Sequence, residues 1–121
     1  MQSDIVFGLV TILGILGLIL LAGGVASTMG RLPMNPLVGI RIPSTMFSDA
    51  AWKAAHRAAG PYLILGGLCS FVGVVLVFMA PSLGVLALTL IPAAGVVVSV
   101  IISAVIAARS AMRVPFEDST T

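Results

Sequence analysis

The sequence predicts an all-α membrane protein with three transmembrane helices. Three observations lead there: three long apolar runs, a charge content too low for a water-exposed surface, and basic residues confined to the segments outside those runs. Of the 121 residues, 60% are hydrophobic and 8% charged, against roughly 25% charged in soluble domains. A chain this short buries too small a share of its surface to hide so much apolar area from water, and it has room for one domain only. The formal charge of +2 is small and sits outside the runs, which argues for orientation in a membrane and against nucleic acid as a partner. The single cysteine, Cys69, excludes an intrachain disulfide, and no metal-ligand spacing accompanies it. No cofactor is expected.

The first run, residues 5–28, is nearly continuous in Leu, Ile, Val, Gly and Ala. At about 1.5 Å per residue it is long enough to cross a hydrocarbon core about 30 Å thick. Gly24, Val25 and Ala26 imitate a signal-peptidase site. However, the run has no basic residues ahead of it, carries Asp4 instead, and far exceeds the length of a signal-peptide core, so an uncleaved span is expected. The second span covers about residues 61–80 and opens at Pro61, since a proline in a first helical turn lacks a donor that would be unpaired anyway. Ala80, Pro81 and Ser82 form a tight turn. The third span covers about residues 83–108 and contains Pro92, which removes a backbone bond and should bend the helix. A C-terminal tail, 109–121, follows.

Orientation comes from the basic residues. Arg31, Arg41, Lys53 and Arg57 lie between the first two spans, and Arg109 and Arg113 lie in the tail. Three crossings bring both segments to one face, which the positive-inside rule makes cytoplasmic, giving N-out and C-in. Small residues recur every fourth position on span three (Gly95, Ser99, Ser103, Ala107), with a similar set on span two (Gly66, Ser70, Gly73). Such stripes let helix backbones approach closely, whether inside one bundle or between copies in an oligomer.

The polar hairpin, residues 30–60, is the other informative segment. Pro33, Pro36 and Pro43 exclude a regular helix over its first half, because each restricts itself and its predecessor to extended geometry. Ser48 is placed to cap a short interfacial helix whose first turn carries Asp49. On that helix Asp49, Lys53 and Arg57 fall four apart, as an ion-paired solvent face, while Trp52 and His56 fall four apart on another. Tryptophan often marks the membrane interface. His56, the only histidine, has a side chain suited to sensing protonation or simply to hydrogen bonding. Arg41 between Ile40 and Ile42 offers a planar fork to a carboxylate or phosphate, or anchors orientation.

The run Asn35-Pro36-x-x-Gly39-Ile40-Arg41-x-Pro43-x-Thr45, followed by Trp52-x-x-x-His56-Arg57-x-x-Gly60 at the head of a span, resembles the signature of the SdpI family of bacterial membrane proteins. The resemblance implies a non-enzymatic immunity or signalling role, either protection against a secreted killing peptide or sequestration of a transcriptional repressor at the membrane. It singles out Asn35, Gly39, Arg41, Pro43, Thr45, Trp52 and His56 as partner- or lipid-binding positions. Membrane lipids and a protein partner (repressor, toxin or larger complex) are the interactions to expect. The alternative is a small accessory subunit of a larger membrane assembly. Catalysis is disfavoured, since Asp49 and His56 lie seven residues apart with no nucleophile, carboxylate pair or phosphate-cradling loop. Transport is disfavoured by spans whose polar side chains are only Ser, Thr and Cys.

Overall fold

The computed structural model describes residues 3–33 and 39–114. Its helices are α1 (Ser3–Thr28), the single turn α2 (Pro43–Met46), α3 (Asp49–Met79) and α4 (Gly84–Met112), with a 3₁₀ turn at Pro81–Leu83 before α4. Three of them, with the 3₁₀ turn counted into the last, are long and apolar enough to cross a membrane. Their outer faces carry large apolar side chains such as Phe7, Leu18, Phe78 and Leu86. Seams between the helices are lined by glycine, serine and alanine instead. That inversion suits a bilayer, where lipid tails are as apolar as leucine and close packing of small residues brings helices together.

One expectation is corrected here. The short interfacial helix and the second span are a single element, because α3 runs from Asp49 through Pro61 to Met79 without interruption. Pro61 removes one backbone donor, and membrane helices absorb such a loss through neighbouring groups. Likewise α4 continues through Pro92. Ile42 is extended ahead of Pro43, as expected, at φ −117° and ψ 160°, but Pro43 then opens the one-turn helix α2, the N1 position where proline is tolerated. Ser48 caps α3 as expected, its Oγ accepting from the Ala51 N–H at 3.0 Å. Asp49, Lys53 and Arg57 are exposed, yet among the described residues no ion pair joins them. Their spacing produces a solvated face rather than a paired one.

Helix α3 is the middle member, packed against α1 on one side and α4 on the other. Along the α1–α3 seam, Gly24 and Gly67 face backbone, whereas the Phe71 ring fills the space at Gly17. A Cβ on Gly24 would come within 2.8 Å of the Ile64 nitrogen, and one on Gly67 within 3.0 Å of the Gly17 carbonyl. Deeper in the seam the Ser70 hydroxyl donates to the Leu13 carbonyl at 2.6 Å. Along the α3–α4 seam the glycines receive side chains: Pro92 fills the space at Gly73, Cys69 that at Gly95, and Ser99 that at Gly66. The small-residue stripes of spans two and three therefore pack internally against one another. Near the hairpin, Ala51, Ala55 and Ala59 of α3 meet Ala107 and Ala111 of α4, with Ile40 and Val114 packed alongside. These contacts make neighbouring helices antiparallel, and all six basic residues are exposed at one end of the bundle.

Candidate functional site

At the basic end, the described parts of the chain between α1 and α2, residues 29–33 and 39–42, lie against the N-terminal part of α3 and form a strap. Asn35 and Pro36 of the motif lie outside the described residues. Trp52 and His56, one turn apart on α3, stack with ring centroids 4.1 Å apart and planes inclined by 29°. Both are 1% exposed, so each polar atom needs a partner. The Trp52 indole N–H donates to the Leu32 carbonyl at 2.9 Å. His56 accepts the Ile40 N–H at Nε2, 2.8 Å away, while its Nδ1 lies 2.8 Å from the Trp52 carbonyl of its own helix. A carbonyl can only accept, so Nδ1 carries the proton and Nε2 is the free acceptor. The neutral imidazole is thus the form that fits this site. A second proton would sit on Nε2, facing an N–H.

Two further motif residues complete the clasp. Gly39 has φ +118°, and a Cβ there would approach His56 Nε2 to 2.8 Å and Trp52 Cζ2 to 2.9 Å. Only glycine combines that backbone with such a close approach to the rings. Thr45 is fully buried. Its Oγ1 donates to the Ile40 carbonyl at 2.7 Å, with the Ile42 carbonyl also in reach at 3.0 Å, and accepts the Ile42 N–H at 3.2 Å. Ile40 is consequently held at both its N–H and its carbonyl. Gly39, Thr45, Trp52 and His56 are brought together; Arg41 and Pro43 are not, and both face outward.

The consequence for the candidate list is a division of labour. Trp52, His56 and Thr45 are buried inside the clasp, where they position the strap. Arg41 is exposed, as are Arg31, Pro33 and Gly39, and half-buried Ile40 and Ile42 lie on either side of it. Pro43 lines a shallow groove of about 390 Å³ between α2 and the end of α4, together with Ser44, Phe47, Ala111, Met112 and Val114. Among the described residues no three His, Cys, Asp or Glu side chains come together as a metal site would require.

The match to known proteins covers this region. A model of the SdpI/YfhL protein family matches residues 31–108, which takes in the strap, the clasp, all of α3 and most of α4. The chain belongs to the SdpI/YfhL protein family. No curated protein and no solved structure matches it. The matched stretch begins at Arg31, one residue before the Leu32 carbonyl held by Trp52. As a member of this family with three span-length apolar helices, the chain is a multi-pass membrane protein.

Three contributors carry no side-chain signal in the motif. Leu32 and Ile40 act through main-chain atoms, which a sequence does not distinguish. The third is the alanine ladder at 51, 55 and 59, whose fourfold spacing was available as a signal: three small residues on one helical face mark a close helix contact.

Proposed function

We propose that this chain is a non-enzymatic immunity or signalling protein of the bacterial cytoplasmic membrane, N-out and C-in, in which the strap is the recognition element and Arg41 its contact residue. The supporting observation is the contrast within the strap. Four motif residues are spent on fixing its backbone, and the guanidinium they leave exposed is held between two anchored isoleucines. Connecting two helices needs only a few polar residues. A clasp that fixes the strap against α3 pre-organises one presented side chain, which lowers the ordering cost of binding. The planar fork of Arg41 suits a carboxylate or phosphate group on a partner, and the adjoining groove at Pro43 offers an apolar neighbour contact.

Arg41→Lys tests this reading, because it keeps the charge that sets orientation and removes the fork. Membrane abundance should be unchanged. Retention of co-purified partner, or survival under the toxin from which the protein protects, should fall by roughly tenfold or more, the effect of losing a charge-assisted hydrogen bond of about 1.5–3 kcal/mol. Full activity at normal abundance would reduce the strap to a connector. A stoichiometric membrane partner that stays bound to the variant would favour the accessory-subunit reading.

A further inference from the structure

The clasp has one member that titrates near neutral pH. His56 is buried, and both its ring nitrogens are committed: Nε2 accepts the Ile40 N–H at 2.8 Å, and Nδ1 donates to the Trp52 carbonyl at 2.8 Å. Only the neutral ring can be donor at one nitrogen and acceptor at the other. A second proton would enter at Nε2 and set one donor against another. Nor does a counter-charge await it. The charged side chains at this end are Asp49, Lys53 and Arg57 of α3, Arg31 and Arg41 of the strap, and Arg109 and Arg113 of α4, all exposed. Asp49, the one carboxylate among them, lies two helical turns from His56, about 10.5 Å along the axis. From α1 the only charged side chain is Asp4, in its first turn, whereas it is the last turn, at Thr28, that meets Gly60. The charges around the ring are thus mostly positive, which opposes an imidazolium as long as the clasp is closed.

We propose that His56 makes the clasp a proton-operated latch, in which uptake of one proton at Nε2 breaks the bond to Ile40 and frees the Gly39–Ile40 part of the strap. The remaining holds do not titrate in this range. The Trp52 indole keeps the Leu32 carbonyl, and the Thr45 hydroxyl keeps the Ile40 carbonyl and the Ile42 N–H. Opening is therefore local, and the helices stay packed. The closed form binds one proton fewer than the open form, so opening is favoured as pH falls. The clasp holds above the ordinary imidazole pKa of about 6.5 and opens below it. Arg41 follows Ile40 directly, so its guanidinium is presented from a fixed backbone only while His56 is neutral; this last consequence alone rests on the recognition reading, and the latch does not.

The test uses the purified full chain in micelles of an uncharged detergent, taken from about pH 7.5 to about pH 4.5, a range that brackets the ordinary imidazole pKa. Trp52 is the only tryptophan and stacks on His56, so its fluorescence reports protonation of the ring directly. The protection factor of the Ile40 amide, measured by hydrogen exchange and corrected for intrinsic rate, reports the latch. In wild type, protection should fall by about tenfold, the scale of one lost hydrogen bond, along the same one-proton curve as the fluorescence and at constant helix content. His56→Gln supplies an amide oxygen to accept the Ile40 N–H and does not titrate, so its Ile40 protection should stay level with pH. Constant protection in wild type would overturn the proposal, whether or not the fluorescence titrates. An equal fall in His56→Gln would overturn it too, as would loss of helix content along the same curve, which would mean general acid unfolding. Should His56→Gln fail to fold, the wild-type curves for fluorescence, protection and helix content still decide.

Discussion

The two ends of α3 are held by opposite means. In its apolar part, against α1, contact depends on side chains being absent: Gly24 and Gly67 put one backbone against the other. At its N-terminal end contact depends on side chains with directional polar atoms, as Trp52 and His56 catch the strap at Leu32 and Ile40. The first kind of contact tolerates no added atom and the second tolerates no lost one. Substitutions that enlarge should therefore damage the seam, and substitutions that delete should damage the clasp.

The largest effect is expected where the two regimes meet. Gly60 follows the clasp directly, and a Cβ there would reach 2.7 Å from the Thr28 nitrogen and 2.8 Å from the Gly24 carbonyl. Gly60→Leu should cost about 3 kcal/mol or more, the upper range for overpacking, measured as reversible unfolding in mixed micelles. A variant as stable as wild type would show that α1 and α3 separate without penalty. Next comes His56→Ala, which strands the Ile40 N–H and should cost about 2 kcal/mol. It should also sharply increase proteolytic cleavage between residues 32 and 42, leaving the seam intact by interhelical cross-linking. Unchanged cleavage would mean that Thr45 alone secures Ile40. Trp52→Phe keeps a ring over His56 and removes only the bond to Leu32, so about 1 kcal/mol is expected, with cleavage confined to the start of the strap. Smallest is Ser70→Ala, which deletes the one side-chain hydrogen bond across the α1–α3 seam among the described residues. About 0.6 kcal/mol, the average for such bonds in a membrane, is the expected loss; a loss as large as that of His56→Ala would erase the distinction between the two regimes.

What the sequence made legible follows the same line. Span-length apolar runs, the Ser48 cap and the shared face of Trp52 and His56 all rest on side-chain type and period, and the fold bears them out. The small-residue stripes were legible as close-packing surfaces, but their internal use was not, because composition does not say which surface meets which. The fusion of the interfacial helix with the second span was missed because proline is a far weaker breaker where neighbouring helices supply the missing bonds. Within the site, the motif identified Gly39 and Thr45 without their purpose. Their partners are the main-chain groups of Ile40 and Ile42 and the rings of α3, a relation that exists only once the strap lies against the helix.

The unbroken course of α3 gives the molecule a lever. Its 31 residues make a rod about 46 Å long, about 16 Å more than a hydrocarbon core of about 30 Å requires. Helices adjust to bilayer thickness by tilting, and a 10° change of tilt would swing the far end of a 16 Å overhang by about 3 Å. The strap is clamped to the N-terminal end of that rod at Trp52 and His56, with no break in the helix at Pro61 to absorb the swing. The clasp thereby travels with the span beneath it, and a thinner or thicker bilayer would be felt at Arg41 as displacement.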